Sequence, residues 1–128
     1  ETTVLIETAP ENCTFTGYVD DIRGAYAAGD VFYFPTHEEN EGIALLEAMT
    51  AGKPVLVRDI EPFEWLEDGE ECLKAAADAG VDAFVAALDR LADPALRERL
   101  GSNAAARSEA FSLDALADRY RSVYEEVV

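Results

Sequence analysis

In the stretch PTHEENEGIALLEAMTAG, residues 35–52, three residues stand at spacings that could do chemistry: Glu39, Gly42 and Glu47. From Gly42 onward the apolar residues follow a helical period, so Gly42 marks the start of a helix and Gly52 its stop. The first turn of a helix carries backbone N–H groups without intrahelical acceptors. The helix dipole adds to their pull on an anion, typically a phosphate. Glycine at that point also lets a ligand come close to the backbone. Glu39 lies just before these donors. Glu47 lies about one and a half turns inside the helix. Its helical neighbours at three and four positions are Ile43, Ala44, Thr50 and Ala51, none able to neutralise a carboxylate. A diphosphate at the helix start would have a carboxylate on each side, suited to accept hydrogen bonds from sugar hydroxyls. The plainer alternatives are a solvated acidic loop for Glu38, Glu39 and Glu41, and for Glu47 an ion pair with a distant base such as Arg58. His37 reads as a loop residue without a catalytic role, since no Ser, Cys or metal-ligand set surrounds it in sequence.

The elements that must position these residues alternate. CTFTGYV (13–19) is β-branched and aromatic and predicts a strand running into a turn at Gly17. DDIRGAYAAG (20–29) predicts a short helix with an Asp start and a Gly stop. DVFYFP (30–35) and KPVLVRD (53–59) are nearly continuous apolar runs, which suit strands buried on both faces. EPFEWLEDG (61–69) predicts a short helix with Pro62 near its first turn, and ECLKA (71–75) a further strand. Strand and helix alternating at this pitch give an α/β fold, a Rossmann-like parallel sheet with helical crossovers. The rest of the chain predicts helix. Val81, Phe84, Val85, Leu88 and Leu91 share one helical spacing. Asp93 caps a segment with Pro94 at its first position and Gly101 as a stop or kink. Ser112 caps a last helix with Leu113, Leu116, Tyr120, Val123 and Val127 on one side. TTVLI, near the start, fits either a strand or the end of a helix. In sheets of this kind ligands bind beyond the carboxyl ends of the strands. Here those ends are GYVDD, PTHEENEG and RDIEP, of which the second carries the most chemistry.

Composition bounds the function. The 128 residues are enough for one domain, residues 1–128, with a real core. There are 27 acidic against 10 basic residues, a net charge of −17. Such a surface repels nucleic acid and anionic membranes. The acids are spread along the chain, and only Lys53 and Lys74 are lysines. That pattern favours adaptation to high salt, where salt screens carboxylate repulsion, over an ordinary acidic protein. No apolar run is long enough to span a membrane, and no signal peptide opens the chain. The expected setting is the cytoplasm. Cys13 and Cys72 have no C-x-x-C partner and read as reduced core residues rather than zinc ligands. Phe63 and Trp65 read as core anchors under the sheet edge.

FTGYVDDIRGAYAAGDVFYFPTHEENEGIALLEAMTAGKPVLV resembles the C-terminal, nucleotide-sugar-binding domain of retaining glycosyltransferases with the GT-B architecture (group 1, family 4). The likeness runs through DPALRERLGSNAAARSEAFSLDALADRY, where that family has a similar helical tail, and covers nearly the whole chain. Glu39 and Glu47, with seven residues between them, fit the family's E-x7-E spacing. Asn40 and Glu41 stand before Gly42 where the family's commonest pattern is E-G-F-G.

The resemblance implies a transferase that moves a sugar from a nucleotide-diphosphate sugar to an acceptor. Glu47 would bind the ribose hydroxyls, and Glu39, as the catalytic residue, would contact the hydroxyls of the transferred sugar. Gly42, Ile43 and Ala44 would offer backbone N–H groups to the diphosphate and sugar. Val19 and Asp21 would lie beside the nucleobase. No metal and no cofactor beyond the donor is implied. An epimerase of nucleotide sugars on the same architecture and a non-catalytic nucleotide-binding module are the alternatives.

The family's upstream basic loop and its N-terminal acceptor domain are missing from this chain. The chain alone is therefore expected not to transfer sugar. A peripheral membrane setting through the missing domain is left open. The strands match the later ones of a six-stranded sheet. The gap would be covered by TTVLI, by rearrangement or by pairing with another copy.

Overall fold

The computed structural model describes residues 8–127. TTVLI lies outside the described residues. Helix α1 (Ile22–Ala28) is followed by strand β1 (Phe32–Phe34), helix α2 (Ile43–Thr50), strand β2 (Val55–Arg58) and strand β3 (Cys72–Ala75). Helices α3 (Val81–Arg90), α4 (Pro94–Ser108) and α5 (Leu113–Val127) complete the chain. The strands form one parallel sheet in the order β1-β2-β3. This is the α/β, Rossmann-like arrangement that the alternation of strand and helix predicts.

Register explains why the sheet needs cover on both sides. Phe32 pairs with Val55, Phe34 with Val57, and Val55 with Cys72. These side chains share one face and pack with Leu45, Ala48 and Met49 of α2 and with Phe63. On the opposite face Leu56 pairs with Leu73. They pack with Phe84 and Ala87 of α3, Leu91 just after it and Leu100 of α4. β2, in the centre, is therefore buried at every residue, as its apolar run predicts. β1 is not. Among the described strands it lies at the edge, and Tyr33 is exposed, with the Phe84 ring edge-on to it.

Four expectations are corrected. Residues 13–19 form no strand: residues 13–18 are exposed, and among the described residues the segment pairs with no strand. β-propensity yields a strand only where a paired neighbour satisfies the backbone. The segment 61–69 forms only the 3-10 turn Glu61–Phe63 before breaking into turns, because Pro62 and Gly69 bracket too few residues for a stable helix. Gly101 does not stop α4, which runs on to Ser108. It is buried in mid-helix, where an added Cβ would collide with the Gly52 carbonyl oxygen. Of the two cysteines, Cys72 is buried but Cys13 is exposed, since the segment that carries it joins no core.

Other start and stop signals hold. Asp21 caps α1 by accepting from the Gly24 N–H at 2.9 Å, and Asp93 caps α4 through the Ala95 N–H. Ser112 accepts from the Ala115 N–H. Phe63 is fully buried. Half-buried Trp65 donates its indole N–H to the Pro62 carbonyl, and its ring lies tilted at 50° to that of Phe111. In α3, Phe84 and Ala87 turn inward while Val81, Val85 and Leu88 are exposed. α5 is capped and amphipathic, yet Leu113, Leu116, Tyr120, Val123 and Val127 are all exposed. No described helix is long and apolar enough to cross a membrane.

Candidate functional site

α2 starts where the loop from the carboxyl end of β1 turns in at Gly42, whose φ is 71°. That left-handed conformation favours glycine. An added Cβ would also approach the Phe63 ring to 2.9 Å, so packing demands glycine here independently of any ligand. No side chain caps the helix. The first intrahelical bond is the Leu46 N–H to the Gly42 carbonyl. The N–H groups of Ile43, Ala44 and Leu45 have no acceptor among the described residues. A helix start with free donors and no acid in its first turn, exposed at Ile43 though Gly42 and Leu45 are buried, is suited to an anion.

The loop before it is held from both sides. Thr36 Oγ1 donates to the Glu38 carbonyl at 2.7 Å. Half-buried Glu39 accepts from the Asn40 N–H through Oε1 at 2.9 Å. Glu38, Glu41 and His37 are exposed. Arg58, at the end of β2, is buried and donates to the carbonyls of Pro35, Ala77 and Ala79, with its guanidinium 4.8 Å from the Phe84 ring centre. It ties the loops after β1 and β3 together through carbonyl oxygens. The ion pair between Glu47 and Arg58, weighed from the sequence, is not formed.

Glu47 does have a partner, and sequence reasoning missed it. The Tyr26 hydroxyl, on α1, lies 3.0 Å from Glu47 Oε2 and 3.2 Å from the Ala44 carbonyl. Burial, then the hydrogen bond and charge of Glu47, hold the Tyr26 phenol above its usual 10.0, so it remains a donor at neutral pH. Between α1 and α2 lies a cavity of about 580 Å³ lined by Ile22, Arg23 and Tyr26 on one side and Ile43, Leu46, Glu47, Thr50 and Ala51 on the other. Arg23 brings a base to it, a residue the sequence did not single out.

The cavity brings Glu47 and Ile43 together. Gly42, Ala44 and Glu39 sit at the adjoining helix start and loop, outside its lining. Val19 is half-buried in the loop before α1, and the Asp21 carboxylate is engaged as the cap of that helix. Lys53 donates to the Gly29 carbonyl at 2.8 Å and closes the end of α1.

Residues 2–93 match the family model described as glycosyl transferases group 1. The chain belongs to this family. The processive diacylglycerol alpha-glucosyltransferase of Acholeplasma laidlawii is 42% identical over 72 residues, covering 54% of this chain and 22% of that enzyme. The alpha-D-kanosaminyltransferase of Streptomyces kanamyceticus is 31% identical over 121 residues, covering 91% of this chain and 31% of its own length. The chain thus spans about a third or less of these curated relatives. Sucrose-phosphate synthase from Thermosynechococcus elongatus superposes with a TM-score of 0.85 at 27% identity, over 98% of this chain and 33% of that one. The fold is that of the C-terminal domain of GT-B glycosyltransferases.

Proposed function

We propose that this domain is the donor-binding part of a retaining glycosyltransferase, which moves a sugar from a nucleotide-diphosphate sugar to an acceptor. The observation that carries this reading is the uncapped start of α2, with Glu47 facing the adjoining cavity, in a chain of this family. In the proposal the N–H groups of Ile43 and Ala44, at the Gly42 turn, receive the diphosphate. Glu47 accepts from the ribose hydroxyls, and Glu39 contacts the hydroxyls of the transferred sugar. The nucleobase lies toward Val19 and Asp21. Catalysis then rests on positioning and on stabilising the charge of the departing diphosphate. A domain not contained in this chain supplies the acceptor and closes the cleft. The reading sets the enzyme in the cytoplasm, free or held at a membrane surface by that domain.

Titration of the chain with UDP-, GDP- and ADP-sugars, alongside Glu47→Gln, tests it. The variant keeps size and loses a charge-assisted acceptor worth about 1.5–3 kcal/mol. Affinity should fall at least about tenfold. Equal affinity of the two proteins would contradict the assignment of Glu47.

A further inference from the structure

We infer that Tyr26 is a positioning residue that aims the Glu47 carboxylate at the donor; the inference rests on the donor-site reading above. Glu47 is an exposed, flexible side chain on α2. Left alone, it would spread over several rotamers and lose that freedom on binding a ligand. Tyr26 is the opposite. Its ring is half-buried, packs against the core and meets Phe32 edge-on at 5.6 Å. Its hydroxyl therefore stands at a fixed point, 3.0 Å from Glu47 Oε2.

The same hydroxyl lies 3.2 Å from the Ala44 carbonyl, at the first turn of α2. Tyr26 thus relates the carboxylate to the helix start that presents the free N–H groups. A phenol suits this task in a way a base does not. It fixes one carboxylate oxygen yet leaves the full negative charge, whereas an Arg or Lys partner would spend it. Oε1 accepts no bond from any described residue and is left for a ligand hydroxyl.

The chain, Tyr26→Phe, Glu47→Gln and the double variant are titrated with UDP-glucose, GDP-mannose and ADP-glucose, and their melting temperatures recorded. Phenylalanine keeps the ring and removes only the donor. Tyr26→Phe should weaken the binding member of the panel by roughly three- to tenfold while the chain stays folded at the assay temperature. The double variant should bind no more than about twofold worse than Glu47→Gln, because Tyr26 acts through that carboxylate. Wild-type affinity in Tyr26→Phe, with binding lost in Glu47→Gln, would overturn the inference and leave the donor site standing. A lowered melting temperature with wild-type affinity would make the bond a staple between α1 and α2, and would equally overturn it. If Glu47→Gln binds as the wild type does, or no panel member binds the wild type, the donor-site reading fails and the inference falls with it.

Discussion

Tyr26 and Glu47 are 21 positions apart, and only the packing of α1 on α2 brings them within 3.0 Å. Helical spacing exposes a missing neighbour three or four residues away, but it is blind to a partner on another helix. That is why Glu47 looked unpaired and Arg58 looked available. Arg58 is in fact consumed by backbone carbonyls at the ends of two loops, which no residue pattern announces. Gly42 was legible as a helix start, while the pressure of the Phe63 ring on it was not. The cysteines give a prediction at this scale. Burial pushes the Cys72 thiol up to about 12 from an ordinary 9.0; Lys74 pulls the other way, and Asp68, Glu71 and Asp59 add to the rise. Between those values the unfolded chain releases a proton that the native chain keeps. Stability from the neutral thiol is therefore complete below about pH 9 and is lost as pH rises toward 12. Cys72→Ala should cost about 1–2 kcal/mol at neutral pH and lose less than the wild type does between pH 8 and pH 10.5 in urea melts. An identical decline in both proteins would remove Cys72 as a cause. With a thiol reagent at neutral pH, the native chain should show one fast thiol, exposed Cys13, and one that reacts only on unfolding.

Elements were read best where local signals and burial agree. β2 and α2 are bounded by Pro, Gly and a change of polarity, and both appear where expected. Residues 13–19 have the right residue types for a strand, but pairing is not a property of one segment. Gly101 failed for a related reason. Glycine in a helical pattern reads as a break, yet here it buys close approach of α4 to the turn after α2, against the Gly52 carbonyl. Gly101→Ala tests this directly. Helix propensity alone would make the change stabilising by about 1 kcal/mol. The collision should outweigh that and make it destabilising by about 1–3 kcal/mol in denaturant melts. A more stable variant would show that α4 does not pack as described.

At the scale of the whole molecule the acidic surface dominates. The net charge of −17 was evident from composition, and self-repulsion follows from it. We propose that the surface is an adaptation to salt. Melting temperature should then rise steadily from low to molar KCl as the repulsion is screened, by about 4 °C for each kcal/mol regained. A flat profile would reject that proposal. The ion pairs Lys74–Asp59, Arg99–Glu70, Arg107–Glu71 and Arg121–Asp118 each involve at least one well-exposed side chain, so their loss on screening is small against the relief of repulsion.

The proposed donor site is also a property of the whole molecule, because it needs α1, the loop after β1 and α2 in one arrangement. At 13.9 kDa the chain is suited to amide-resolved NMR. Titration with UDP-, GDP- and ADP-sugars should give saturable shifts centred on the amides of Ile43, Ala44 and Leu45 and on Glu47. Smaller shifts should reach Tyr26, and the C-terminal half of α5 should stay still. Saturable shifts centred elsewhere, with the first turn of α2 unmoved, would contradict the account.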